Sequence, residues 1–248
     1  MSNKKDQVQT MRHRTFVPQL RERRDRIVYQ GRIGAIGASP RSRYQLVAFS
    51  AVASLLLLIV SSLLHPALST GVGLLVVGLV AGGWPAATGV AELRRVKRVY
   101  SHSIIIVLAG LISVMVAFAE DGVQRLNFVP AVAAVGIVAS FMVELIRGEG
   151  AIGRLESVIS CISGVLAAVS VSGWTAMAEL FQHSRESYPI LVVGLIFALI
   201  IGVFGIRLIS AGPREGPRRG AITLGVTPTA FVGVIGYVIA IFLTPMLS

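Results

Sequence analysis

The chain has 248 residues, 54% of them apolar and only 14% charged, with a mean hydropathy of +0.76. That balance excludes a water-soluble domain, and about seven spans of roughly 20 residues each would use most of the length, which excludes a large extramembrane catalytic domain. Lys and Arg number 23 against 12 acidic residues, a formal charge of +11, and their placement reads as membrane topology rather than as a nucleic-acid footprint.

Residues 1–43 form a basic segment with eleven Lys or Arg and only Asp6, Glu22 and Asp25 as acids. Between Val17 and Ile33, Pro18 stands where a first helical turn tolerates it, and Leu20, Ile27 and Val28 fall near one face among five arginines. Two readings stand side by side. In one the segment is a helix lying on the anionic inner leaflet, each basic residue contributing about 1 kcal/mol. In the other it is a charged tail that only fixes topology. Nucleic acid is not an expected partner, because no aromatic stacking platform accompanies the charge. Gly34 to Ser42, with Gly37 and Pro40, reads as a hinge. No short apolar region with a small-residue cleavage site follows Met1, so the first apolar run is expected to stay as a span.

From there the chain predicts an all-α integral membrane protein with a transmembrane domain over 44–248. Uninterrupted apolar runs place seven helices at 44–64, 71–92, 103–119, 128–146, 157–179, 189–210 and 225–246. Backbone groups in hydrocarbon must be satisfied internally, and continuous runs without strict alternation do not suit barrel strands. The loops orient the bundle, since cytoplasmic loops collect Lys and Arg. Arg94, Arg95, Lys97 and Arg98 follow the second run, Arg147 and Arg154 the fourth, and Arg207, Arg214, Arg218 and Arg219 the sixth. The opposite side holds only Arg125 and Arg185. The amino terminus is therefore expected in the cytoplasm and the carboxy terminus outside, in a cytoplasmic (inner) membrane. A preference for Arg over Lys and a scarcity of Asn suggest a GC-rich bacterial genome.

Helices in lipid join through close backbone approach and hydrogen bonds, which small residues four apart permit. The fifth run carries such a stripe in Ser160, Gly164, Ala168 and Ser172, read first as packing and second as a hydroxyl-lined path for a polar solute. In the second run, Gly82-Gly83-Trp84-Pro85 predicts a kink, because proline removes a backbone donor and glycine loosens the turn. A structural kink is preferred there over the unwound substrate site of a transporter.

Ionisable residues inside a membrane are costly and point to function. Here they gather near helix ends, which favours interfacial salt bridges such as Glu144 with Arg147 or Glu92 with Arg95. The functional alternative is a shallow cytoplasmic pocket of Glu92, Arg94, His102, Glu144 and Arg147 able to receive a phosphate-bearing headgroup. His13, His65, His102 and His183 show no metal-ligand spacing, and Cys161 is the single cysteine, so neither a metal nor a cofactor is expected. No phosphate loop, nucleophile elbow or zinc-protease helix occurs.

Val90-Ala91-Glu92-Leu93, Glu120-Asp121-Gly122 and Glu144-Leu145-Ile146-Arg147-Gly148 resemble the early membrane region of bacterial phosphatidate cytidylyltransferases, over residues 75–210. The resemblance implies a polytopic enzyme that makes CDP-diacylglycerol from CTP and phosphatidic acid with magnesium. The carboxy-terminal Ser, Lys, Asp and Gly signature of that family has no counterpart after Arg219, so no catalytic residue carries over.

Three functions follow, in order of preference. The first is a non-catalytic membrane accessory or scaffold protein, with lipids and another membrane protein as partners. The second is a small permease-like transporter. The third is a cytidylyltransferase-like lipid enzyme or an inactive relative of one.

Overall fold

His65 and Pro66 show how the sequence sets its first helix boundary. The α1 helix covers Pro40–Leu64, and α2 covers Pro66–Ala87. His65 between them is extended, at φ −163° and ψ 139°, and its Nδ1 accepts from the Ala67 N–H at 3.1 Å. Pro66 occupies the first turn, where its missing donor costs nothing. The cap starts α2 several residues before the apolar run begins at 71, so the first two spans form a hairpin with a single connecting residue.

The computed structural model describes residues 40–89, 100–120, 124–146, 154–183 and 217–247, all within the unit Gly37–Ser248. Outside these residues lie the basic segment 1–39, Glu92, Arg94, Arg147 and the apolar run 189–210. The further helices are α3 over Tyr100–Ala119, α4 over Val129–Ile146, α5 over Arg154–Ser170, α6 over Ser172–His183 and α7 over Arg218–Leu247. No strand occurs among the described residues. Six spans are long and apolar enough to cross a membrane, α5 and α6 counting together as Arg154–Gln182. At about 1.5 Å per residue, helices of 18 to 30 residues cover roughly 27 to 45 Å, enough for a hydrocarbon layer of about 30 Å.

The fifth span is rich in small and hydroxyl residues, and it sits at the centre. In its most apolar window 61% of residues are buried, against 17% for α4, which packs mainly against α3 and α5 among the described helices. Small residues explain the difference. A Cβ on Gly164 would lie 2.5 Å from Ile106 Cδ1 and 2.7 Å from Trp84 Cδ1, and one on Gly173 would lie within 2.5 Å of the Gly233 and Val234 backbone. Backbones approach this closely only where side chains are absent. The outward face of α4 instead carries Val135, Val138, Phe141, Leu145 and Ile146, all exposed, as a lipid-facing surface requires.

The contacts between helices define two ends of the bundle. Gly220 and Gly83 bring the start of α7 against the end of α2, and Gly225 brings it against Val47 and Ser50 near the start of α1. His102, Glu144 and Ser157 gather the start of α3, the end of α4 and the start of α5 at the same end. At the other end Gln182 Nε2 donates to the Leu64 carbonyl at 3.3 Å, joining the end of α6 to the end of α1.

Candidate functional site

Two of the five residues expected to share a headgroup pocket meet, and a serine the sequence reading passed over joins them. His102 Nε2 lies 3.1 Å from Glu144 Oε1, Ser157 Oγ donates to the same Oε1 at 2.7 Å, and Ser157 Oγ lies 3.3 Å from His102 Nε2. His102 and Glu144 are each 2% exposed and Ser157 is fully enclosed. One turn further into the bundle, Ser140 Oγ donates to Cys161 Sγ at 3.1 Å and to the Gly136 carbonyl at 2.8 Å. The cluster thus ties α3, α4 and α5 through side chains that each helix turns inward.

Sequence periodicity explains why they converge. Ser157, Cys161, Gly164 and Ala168 follow spacings of four, three and four along one face of α5, and all four are buried. Gly136, Ser140 and Glu144 do the same on α4, where they are the buried residues of the helix. Extending the small-residue stripe back one turn from Ser160 and Gly164 was the signal for Ser157. Glu144 is enclosed by the bundle and faces His102 rather than solvent. Glu92, Arg94 and Arg147 lie outside the described residues.

The chemistry of the trio follows from its geometry. Ser157 and Glu144 address the same imidazole nitrogen, whereas hydroxyl activation uses one ring nitrogen for the nucleophile and the other for the orienting carboxylate. Ser157 also spends its hydrogen on the carboxylate. The arrangement holds a carboxyl group between three helices and lacks the two-sided imidazole geometry that sharpens a nucleophile.

A second ionisable pair closes the opposite end. Arg125, from the turn between α3 and α4, donates through Nη1 to the Ala117 carbonyl at 3.2 Å and through Nη2 to Glu179 Oε2 at 3.3 Å. Arg125 is 5% exposed and the Glu179 side chain 14%. Both residues read from sequence as belonging to one side of the membrane, and opposite charges on one side were the signal for this pair.

The residues expected to break the second helix act as a packing joint. α2 runs through Pro85 to Ala87, where the Thr88 N–H closes on the Trp84 carbonyl at 3.0 Å. Trp84 lies over Gly164 and donates through Nε1 to the Ser160 carbonyl at 2.6 Å, while Ser160 Oγ meets Thr88 Oγ1 at 2.7 Å. A Cβ on Gly83 would strike Thr223 of α7, whereas one on Gly82 meets nothing within 4 Å. The stripe of Ser160, Gly164 and Ala168 is buried along α5, and Ser172 begins α6. Regular helical bonding is interrupted between them, at Val171, where the Val169 carbonyl accepts instead from Ser172 Oγ at 2.7 Å and Ser113 Oγ at 3.3 Å. Nearby, Thr175 Oγ1 is buried without a hydrogen-bond partner among the described residues.

No group of three or more His, Cys, Asp or Glu able to hold a metal occurs among the described residues. Comparison of the chain with protein-family models, curated proteins and solved structures finds no match.

Proposed function

We propose that the chain is a seven-span protein of the cytoplasmic membrane, amino terminus inside, that acts as a non-catalytic accessory or scaffold. The observation that carries the role is the use of buried polar groups as links between helices. Trp84 bonds α2 to α5, Trp174 Nε1 bonds α6 to the Thr229 carbonyl of α7 at 2.8 Å, and Ser54 meets Thr229 between α1 and α7 at 3.0 Å. Ser69 donates from α2 to the Trp174 carbonyl at 3.2 Å, and Thr223 from α7 to the Leu79 carbonyl at 3.0 Å. A bundle so joined suits a rigid body that offers its outer faces to lipid and to a neighbouring membrane protein. Mild-detergent purification from the native membrane, with bound components identified and counted by mass spectrometry, tests the role. A stoichiometric protein partner is the expected result, and a particle carrying only lipid or nucleotide overturns it.

The seventh span has its own support. α6 ends at His183 beside the Leu64 end of the bundle, while α7 starts at Arg218 beside Ala86 at the other end. The intervening chain has to join opposite ends, and it contains the apolar run 189–210. Cys161 is the single native cysteine and is buried, so Q182C and R218C introduced singly into a Cys161→Ala background report the two ends cleanly. Labelling from opposite faces of sealed vesicles is expected, and labelling from the same face would remove the seventh crossing.

The permease-like reading is second, favoured by the interruption at Val171 with the unpartnered Thr175 hydroxyl beside it, since discontinuous helices build the solute sites of many transporters. Uptake of small polar solutes by proteoliposomes that Thr175→Val abolishes without loss of folding would raise it above the scaffold reading.

A further inference from the structure

We propose that the interruption between α5 and α6 is a binding site for a small uncharged solute, with the Thr175 hydroxyl as its hydrogen-bonding group. Such a site rests on the permease-like reading and gives the cargo a chemical class. The other buried threonines show the usual local outlet for a helix hydroxyl. Thr70, Thr223 and Thr227 donate to the carbonyl four residues earlier at 2.7 to 3.1 Å, and Thr229 to the one three earlier at 2.6 Å. For Thr175 the corresponding acceptor is Val171, which stands between the two helices and whose carbonyl takes the Trp174 N–H at 3.0 Å. The Thr175 hydroxyl is turned toward α2 instead. It is fully enclosed, has no hydrogen-bond partner among the described residues, and lies 3.9 Å from where a Cβ on Gly73 would stand. Val114 Cγ1 is at the same distance from that position and Val171 Cγ1 at 3.2 Å, so glycine faces the hydroxyl and two valines wall the space.

Further hydroxyls flank Thr175 on both sides. Toward the Leu64 end, Ser62 meets Ser69 at 3.1 Å and Ser69 donates to the Trp174 carbonyl at 3.2 Å. On the other side Ser113 and Ser172 both donate to the Val169 carbonyl. None of these four serines is more than 6% exposed. Charge then sorts the ligands. α2 carries no ionisable side chain, and Tyr100 and His102 of α3, like Arg154 and Glu156 of α5, belong to the opposite end of the bundle. On α6, Glu179 follows Thr175 by one turn and is engaged by Arg125 at 3.3 Å, with His183 at the helix end. A cation would compete with that guanidinium, and an anion would meet that carboxylate. Hydroxyls and carbonyls at a helix interruption instead suit a molecule that donates and accepts hydrogen bonds without net charge. The valine walls restrict it to a few heavy atoms.

The test uses the full chain in lipid nanodiscs with 13C-labelled threonine methyl groups, the Thr175 signal being assigned by its loss in Thr175→Val. Formamide and urea, below denaturing concentrations, are the uncharged probes, and sodium and potassium chloride the charged ones. A saturable shift of the Thr175 methyl with an uncharged probe, and none with the salts, is the expected result. Gly73→Ala places a methyl group before the hydroxyl and should raise the half-saturation concentration about tenfold or more. No saturable shift with either uncharged probe, or one produced by the salts, would overturn the proposal. So would magnetisation transfer from water without any response to the probes, which would show that Thr175 holds water only. Because saturation is read in the wild-type chain, the outcome stands even where Gly73→Ala does not fold. Osmotic swelling of proteoliposomes in the same probes separates the site from transport. Swelling that Thr175→Val leaves unchanged overturns the site and keeps the permease-like reading, whereas a saturable shift without swelling keeps the site and removes that reading.

Discussion

The two ends of the bundle bury ionisable residues by different means. At one end His102 and Glu144 are helix residues on inward faces, each 2% exposed, and a serine on a third helix completes their bonding. At the other, Arg125 comes from a turn, reaches back to a helix-end carbonyl and across to Glu179, which keeps 14% of its side-chain surface. The first arrangement is closed in by neighbours that cannot move without separating helices. The second is a long side chain folded over the bundle end, where a partner that is lost can be replaced by water. Burial of charge is thus a packing property at the first end and a loop-docking property at the second.

The strongest way to break that comparison is Glu144→Ala, which leaves His102 and Ser157 buried around an empty position. A loss of about 3 kcal/mol is expected, read as a lowered unfolding midpoint in detergent or nanodiscs. Arg125→Ala should cost less, about 1 to 2 kcal/mol, because Glu179 gains access to water at the bundle end. A larger loss for Arg125→Ala than for Glu144→Ala would invert the comparison. Ser157→Ala removes the hydroxyl that donates to Glu144 and should cost about 1 kcal/mol, with strong non-additivity toward Glu144→Ala and none toward Arg125→Ala in double-mutant cycles. The smallest effect is that of salt. Raising ionic strength from about 0.1 M to 1 M should weaken the contribution of Arg125 and Glu179 by a few tenths of a kcal/mol and leave that of His102 and Glu144 unchanged.

Particular residues show how far the sequence reaches. Long apolar runs gave α1, α3 and α4 nearly to their ends, but α2 and α7 begin earlier than hydropathy alone suggests, at Pro66 and Arg218. Capping by His65 sets the first of these, and a run-length argument does not weigh capping. Proline and paired glycines drew attention to Gly82–Pro85, through which α2 continues to Ala87, while an interruption among the described residues at Val171 carries no proline or glycine and adjoins a carbonyl held by Ser113 on another helix. Glu144 pointed by sequence spacing toward Arg147, which lies outside the described residues; the bundle brings it His102, 42 residues away, which no local spacing announces.

What the sequence determined by itself is a set of helices long and apolar enough to cross a membrane, because apolar runs of span length and the need to satisfy backbone groups in hydrocarbon are local demands. What only the tertiary structure decided is which helices touch, and hence that His102, Glu144 and Ser157 share one buried site while Arg125 meets Glu179. In lipid the surroundings are as apolar as the side chains, so hydrophobicity cannot select a partner. The choice falls to the fit of glycine and alanine seams and to scattered hydroxyls, whose partners lie on other helices and leave no mark on the local pattern.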